Sequence, residues 1–350
     1  MQLTSFRTLG RSGLIVSPLA LGVMTFGTPR WGSPDDVSES IFNAYIDAGG
    51  NFIDTADIYA KGRSEELTGQ YIAARSLRDK VVLATKYSLS AEPGNPNAGG
   101  NGRKNLHRAL EGSLRRLKTD YVDLFWMHVW DQVTPVEEML QSMGDLVRAG
   151  KIRYFALSDV PAWYAASAAA IARAQGIPGP IALQLPYSLI ERGIERDHVP
   201  LAREFGLGIT PWSPLAAGFL AGKYTRDAQG NVSAGGGRLD LNLPSFQLFT
   251  DRNWRVLDAV RAIAAEAGLD MAQMALAWAT AQPGVTSLIL GASKFNQLHS
   301  NLASLQMTLP QDVMNKLQAA TATDQTMLDR FFSAGLQKGV LSGTDVQGWR

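Results

Sequence analysis

YVDLFWMHVWDQVTPVEEMLQSMGDLVRAGKIRYFALS, residues 121–158, decides the fold. It opens on one apolar run, VDLFWMH, and closes on another, IRYFALS, with an amphipathic stretch over Pro135–Arg148 between them. Strand, helix and strand in that order read as a parallel βαβ unit. The same alternation extends to both sides. PLALG, NFID and KVVLATK are the candidate strands before it; IALQ, GLGITPW and TSLILG follow it. Further helical patterns cover Asp35–Gly49, Ser64–Ser76, Arg103–Leu117, Pro161–Ala174 and Glu195–Phe205, the last with Ile194, Val199, Leu201 and Phe205 on its apolar side. Eight strands with helices between them in roughly 300 residues predict a (β/α)8 TIM barrel. A doubly wound sheet is the alternative, but it would usually carry GxGxxG after its first strand, and no such pattern occurs here.

Outside the alternation, FRTLGRSGLIVSP near the N-terminus reads as a β-hairpin that would plug the bottom of the barrel. Two long loops, Ala91–Gly102 and Thr225–Leu248, follow strands, and the second contains Gly235–Gly237. A tail begins after about Thr321. Loops of that length in a compact domain are usually functional, and these would gather at or beside the C-terminal face. There is no linker composition, so residues 1–350 are expected to form a single domain.

Bulk composition excludes several classes of function. Lys+Arg 33 against Asp+Glu 32 leaves a net charge of +1, with no basic excess to hold a nucleic-acid backbone. Cysteine is absent, which removes disulfides, thiol nucleophiles and cysteine zinc sites. MQLTSFRTLGRSG lacks a signal-peptide core, and no apolar run reaches the ~18 residues of a membrane span. A cytoplasmic protein acting on a small molecule, without nucleic-acid or membrane partners, is the expectation; oligomeric state is not legible.

Strand ends of a barrel converge on the face that carries its active site. Here they are Asp54, Lys86, His128, Ser158, Gln184, Trp212 and Gly291, with Tyr59 five residues past Asp54. A phenol has an unperturbed pKa of about 10, too high for an efficient acid near neutrality. A nearby ammonium favours phenolate, and a carboxylate keeps the ammonium charged. Asp54, Lys86 and Tyr59 supply those parts, and His128 can hold a carbonyl oxygen near the phenol. Such a set would protonate a carbonyl as hydride arrives, or deprotonate an alcohol as hydride leaves. Each member has a plainer reading: a structural ion pair, a rim aromatic, a core histidine.

The second constellation is LILGASKFNQLHSNL, residues 288–302: a strand into Gly291, small residues, then a helix with Gln297 and Asn301 one turn apart. A helix N-terminus after the last strand suits phosphate, with Ser293 and Lys294 adding a hydroxyl and a positive charge. No acidic residue stands there to repel a 2′-phosphate, which favours NADP over NAD. The plainer reading is a helix start capped by Ser293. Trp212 suits stacking on a flat ring, and Lys223 could reach phosphate from its loop.

These residues resemble the aldo-keto reductase family. DTADIYA (54–60), ATK (84–86), the segment Leu124–His128 and GASKFNQLHSNL (291–302) carry the resemblance, with GRSGLIVSPLALG and ALEGSLRRLKTDYVDL (109–124) in support. HVWD (128–131), SDVPAW (158–163), IERDHVPLAREFG (194–206) and ITPW (209–212) are similar to its aryl-alcohol-dehydrogenase-like branch. The resemblance implies a barrel binding NADP(H) without a Rossmann fold. It makes Tyr59 the general acid/base, tuned by Lys86 and Asp54, with His128 orienting the carbonyl. Ser158 and Gln184 would hold the nicotinamide carboxamide and Trp212 would stack on the ring. Ser213, Leu215, Gly218 and Lys223 would line the pyrophosphate path. Gly291, Ser293, Gln297 and Asn301 would take the adenosine end, with Lys294 beside them; Val23 and Met24, after the first barrel strand, join the cofactor set. Many members carry Ser-Asn where this chain has Ser158–Asp159, the pair that would hold the carboxamide; Asp159 and Asp54 therefore also join the cofactor set, although an Asp has no amide N–H2 to donate. Trp31, Tyr87 and Trp130 flank the catalytic residues and suggest a pocket for aryl or bulky apolar carbonyls. The family also includes channel-associated β subunits that act mainly through a partner. A sugar-phosphate barrel enzyme is the remoter alternative.

Overall fold

A computed structural model describes residues 1–28, 31–90, 92–227, 229–233, 239, 246–344 and 346. Eight parallel strands form the central sheet: β3 (Leu19–Gly22), β4 (Phe52–Asp54), β5 (Val82–Tyr87), β6 (Val122–Met127), β7 (Ile152–Ser158), β8 (Ala182–Gln184), β9 (Gly208–Ile209) and β12 (Leu288–Gly291). They pair in chain order, and β12 returns to pair with β3. The other edge closes through a parallel bridge between Ile209 and Val285, with Thr286 N–H donating to Ile209 O at 2.8 Å and Ile289 N–H to Pro211 O at 2.9 Å. The ring is therefore the expected (β/α)8 barrel. β9 is shorter than the run GLGITPW because Pro211 has no N–H for the ladder; pairing resumes beyond it at the Pro186–Trp212 bridge.

Helices α1 (Asp35–Asp47), α2 (Arg63–Ala74), α3 (Arg103–Leu117), α4 (Val136–Arg148), α5 (Ala162–Gln175) and α6 (Ile194–Phe205) each connect one strand to the next. Two helices, α7 (Asp251–Ala267) and α8 (Met271–Thr280), span the last crossover; α9 (Phe295–Ala303) and α10 (Gln311–Ala320) follow β12. Helix starts obey local chemistry. Pro135 and Pro161 precede α4 and α5, whereas Thr250 and Asp270 cap α7 and α8 by accepting from Asn253 and Gln273 N–H.

Two apolar layers divide the molecule. Ala20, Phe52, Ala84, Leu124, Trp126 and Ala156 fill the barrel. The larger layer lies between strands and helices, with Leu83, Leu110, Phe125 and Leu157 among its residues. β5 shows the sorting rule: Val82 and Ala84 face in, and Leu83 and Tyr87 face out. The hairpin of β1 (Arg7–Thr8) and β2 (Ile15–Val16) adds Leu9, Leu14 and Val16 to the inner layer, which makes it the floor of the barrel.

Of the long loops, 92–102 is pinned beside β6. Asn101 Nδ2 donates to Val129 O at 2.8 Å and its backbone N–H to Asp131 Oδ2 at 2.7 Å. The 225–248 segment contains a small hairpin, β10 (Thr225–Arg226) with β11 (Val232–Ser233); Gly235–Gly237 lie outside the described residues. The tail carries two short helices, α11 (Met327–Phe331) and α12 (Ala334–Val340), joined to α6 by an Arg196–Asp329 ion pair at 3.3 Å. Among the described residues no helix is long and apolar enough to cross a membrane.

Candidate active site

β4 and β5 bring the first charges together. Asp54 pairs in register with Ala84, so Lys86, two residues on, projects from the same inner face just above it. The Lys86 ammonium is fully buried and forms an ion pair with Asp54 Oδ2. It also donates to Thr55 O at 2.9 Å and to Tyr59 Oη at 3.4 Å. A buried ammonium is tolerable only with such partners. Burial alone would lower the Lys86 pKa; Asp54 and Tyr59 reverse that and hold it above its ordinary value. Burial raises the Asp54 carboxyl, against the pull of Lys86 and of Gln184, whose amide donates to Asp54 Oδ1 at 3.1 Å.

Tyr59 sits at the head of a tight turn, Tyr59–Gly62, in which Ala60 and Lys61 adopt left-handed φ of 48° and 56°. Non-glycine residues hold such angles only when their surroundings impose them. Here Asp57 N–H donates to Lys86 O at 3.1 Å, and Ser64, just past the turn, bonds Thr55 Oγ1 and Val23 O at 2.9 and 2.7 Å. His128 completes the set from the end of β6. Its ring lies edge-on to Tyr59, centroids 5.7 Å apart, and Ser88 Oγ fixes its backbone N–H at 3.0 Å. Burial, helped by Lys86, drives the His128 pKa well below its usual value, so the imidazole is neutral. Its Nδ1 has no hydrogen-bond partner among the described residues.

β7 to β9 supply a second group. Ser158 Oγ is buried and also lacks a partner among the described residues. Asp159 adopts φ 47°, and its Oδ1 accepts from Trp212 Nε1 at 3.0 Å. After Trp212 the chain runs through left-handed φ at Ser213, Ala216, Ala217 and Gly218, and Ser213 Oγ accepts from Ala217 N–H at 3.1 Å. A Cβ at Gly291 would meet nothing within 4 Å among the described residues, which leaves open space where β12 ends. Ser293 does not cap α9: its N–H and hydroxyl both reach Gln297 Oε1, at 2.9 and 3.2 Å, and Lys294 occupies the cap position without a side-chain bond. Asn301 is buried one turn further on. Val23 is buried with its N–H on Asp54 O at 2.9 Å; Met24 beside it and Leu215 are half-buried, and Lys223 is exposed.

A cavity of about 620 Å³ adjoins these residues, lined by Trp130, Asp159, Tyr187, His198, Trp212 and Phe246 among others. Its walls come from the segments that follow β6 to β9, and none of Asp54, Tyr59, Lys86 and His128 lines it. Trp130 stands in it with its ring edge-on to Trp163 at 5.4 Å. Trp31 is half-buried. Tyr87 does not join them. It is fully buried against Phe125, centroids 5.0 Å apart, in the layer beneath the helices. Because Lys86 points inward, strand alternation turns Tyr87 outward, so the expectation that it lines a substrate pocket is corrected. Tyr187, His198 and Phe246 also line the cavity and were not singled out from the sequence. His198 stands within IERDHVPLAREFG, and only the spatial convergence of these segments marks them.

A family model described as Aldo/keto reductase family matches residues 18–322. Among similar proteins, one from Oryza sativa subsp. japonica named "Probable voltage-gated potassium channel subunit beta" is 39% identical over 327 residues, covering 90% of this chain and 95% of its own. The "Aryl-alcohol dehydrogenase [NADP(+)]" of Phanerodontia chrysosporium is 34% identical over 323 residues, 87% of this chain and 82% of its own. The "Norsolorinic acid reductase B" of Aspergillus parasiticus is 33% identical over 364 residues, 99% and 93%.

Proposed function

The chain belongs to the aldo/keto reductase family, and from that premise we propose that it is an NADP(H)-dependent oxidoreductase interconverting aryl or bulky apolar carbonyls and their alcohols, working as one catalytic unit. The observation that carries the reading is the position of the Lys86 ammonium, held between the Asp54 carboxylate and the Tyr59 hydroxyl. An ammonium beside a phenol favours the phenolate. Tyr59 can therefore release its proton to a carbonyl oxygen and take one back from an alcohol. His128 is neutral, so it serves as a hydrogen-bond partner for that oxygen and does not compete as the acid.

The residues fit a nicotinamide dinucleotide. The unpartnered Ser158 hydroxyl suits the carboxamide, and Trp212 suits the ring. The turn from Ser213 to Gly218 suits the pyrophosphate, with Lys223 beyond it. The open end of β12 at Gly291 and the uncapped start of α9 suit the adenosine phosphate, with Ser293, Lys294, Gln297 and Asn301 around it. Gln184, bonded to Asp54, adds a link between the carboxamide region and the proton-transfer set. When bound, the cofactor supplies hydride to the carbonyl carbon in reduction and accepts it in oxidation. Tyr59 delivers the balancing proton to the oxygen, leaving a phenolate beside Lys86. The name of the Phanerodontia relative supports both the NADP(+) choice and an aryl substrate.

Tyr59→Phe tests the role assignment. It should bind NADPH as the wild type does and reduce 4-nitrobenzaldehyde about 10²–10⁴-fold more slowly, the range typical of a lost general acid. Reduction at the wild-type rate would remove Tyr59 from the mechanism. A second reading, a cofactor-binding subunit acting through a partner, draws on similarity to the proteins named as probable channel subunits. It predicts cofactor binding without useful turnover across an aldehyde and alcohol panel.

A further inference from the structure

The family's usual Asn after the strand-end serine is Asp159 here, and its carboxylate already has a partner. The Trp212 indole can only donate, and it donates to Asp159 Oδ1 at 3.0 Å. Both backbones are anchored independently of that bond. Asp159 N–H donates to Gln184 O at 3.1 Å, and its carbonyl accepts from Trp130 N–H at 3.3 Å; Trp212 N–H donates to Leu185 O at 3.0 Å. With both main chains held, the Asp159–Trp212 hydrogen bond sets the tilt of the indole, and Phe246 meets the indole ring edge-on at 5.9 Å.

We propose that Asp159 is a positioning residue: it acts on the cofactor through Trp212, holding the indole in the plane that stacks on the nicotinamide, and does not itself bind the carboxamide. The inference rests on the NADP(H) reading above. Three structural features agree with it. A left-handed φ of 47° suits Asp or Asn. The Ser158 hydroxyl beside it, without a partner among the described residues, leaves a separate group for the carboxamide. Burial raises the Asp159 carboxyl to about 6, so it is ionised at neutral pH and its bond to the indole is charge-assisted.

A double-mutant cycle on NADPH affinity at pH 7.5, read by protein fluorescence quenching, separates the two roles. Asp159→Ala should weaken binding about tenfold in the wild-type background, and less than about twofold in Trp212→Phe, which keeps a ring and lacks the N–H. Asp159→Asn retains an acceptor oxygen and should stay within about threefold of wild type. Equal losses from Asp159→Ala in both backgrounds would mean that Asp159 touches the ligand directly, and would overturn the proposal. So would an Asn variant as weak as the Ala variant. Asp159→Ser replaces the Ala variant should circular dichroism show the latter unfolded. A wild type that binds no NADP(H) would sink the cofactor reading itself; binding with an additive cycle would sink only the role of Asp159.

Discussion

Behind the turn that presents Tyr59, Asp57 is a buried carboxyl that the proton-transfer chemistry does not use. Its Oδ1 has no hydrogen-bond partner among the described residues. Burial, and then Glu65, lift it to about 7, against Arg116. The unfolded chain loses that proton near pH 4, so the native state binds it more tightly. A raised carboxyl contributes stability that is full below the unfolded pKa and is lost as pH rises through the folded value. Asp57→Asn, which cannot ionise, should therefore gain over the wild type between pH 5 and pH 8, by about 2–3 kcal/mol. Urea midpoints at the two pH values measure this, and a pH-independent difference would contradict it. Nothing in DTADIYA separates Asp57 from Asp54, because burial and the nearness of Glu65 arise from the fold. Tyr87 is the reverse case. Strand alternation was already legible in VVLATKY, and placing Lys86 inside was enough to turn Tyr87 away.

At the scale of elements, the hairpin floor is the most sharply built piece. Gly10 has φ +61°, and a Cβ there would stand 2.4 Å from Ile181 O, 2.6 Å from Gly208 N and 2.7 Å from Gly206 O. All three are backbone atoms at the lower ends of neighbouring strands, so nothing flexible can give way. Gly10→Ala should cost about 3 kcal/mol or more in chemical denaturation; an unchanged midpoint would mean that the hairpin does not seat against the barrel. The strands were legible because each is a short apolar run between helical patterns, and the hairpin because Gly and Ser punctuate it. Less legible was how α9 begins: the plainer reading made Ser293 the cap, but its N–H and hydroxyl both reach Gln297 Oε1.

For the whole molecule, closure of the ring carries the strand ends to one face, and the meeting of Asp54, Tyr59, Lys86 and His128 followed from the order of strand ends. The cavity of about 620 Å³ did not follow, because its walls come from segments after β6 to β9 whose meeting depends on loop paths. Of Trp31, Tyr87 and Trp130, the aromatics expected to flank substrate, Trp130 lines the cavity. Trp130→Ala should raise KM for a two-ring aryl aldehyde about tenfold while changing that for a small aliphatic aldehyde less than about twofold, the loss expected from an aromatic contact. Equal effects on both would mean that the cavity does not select substrate. Hydride transfer itself is tested by reacting [4,4-²H2]NADPH with 4-nitrobenzaldehyde and reading the product alcohol by mass spectrometry. One deuterium should appear on the benzylic carbon of the product alcohol; alcohol formed without it, or no alcohol at all while NADPH is bound, would mean that no hydride passes from the nicotinamide to the carbonyl carbon.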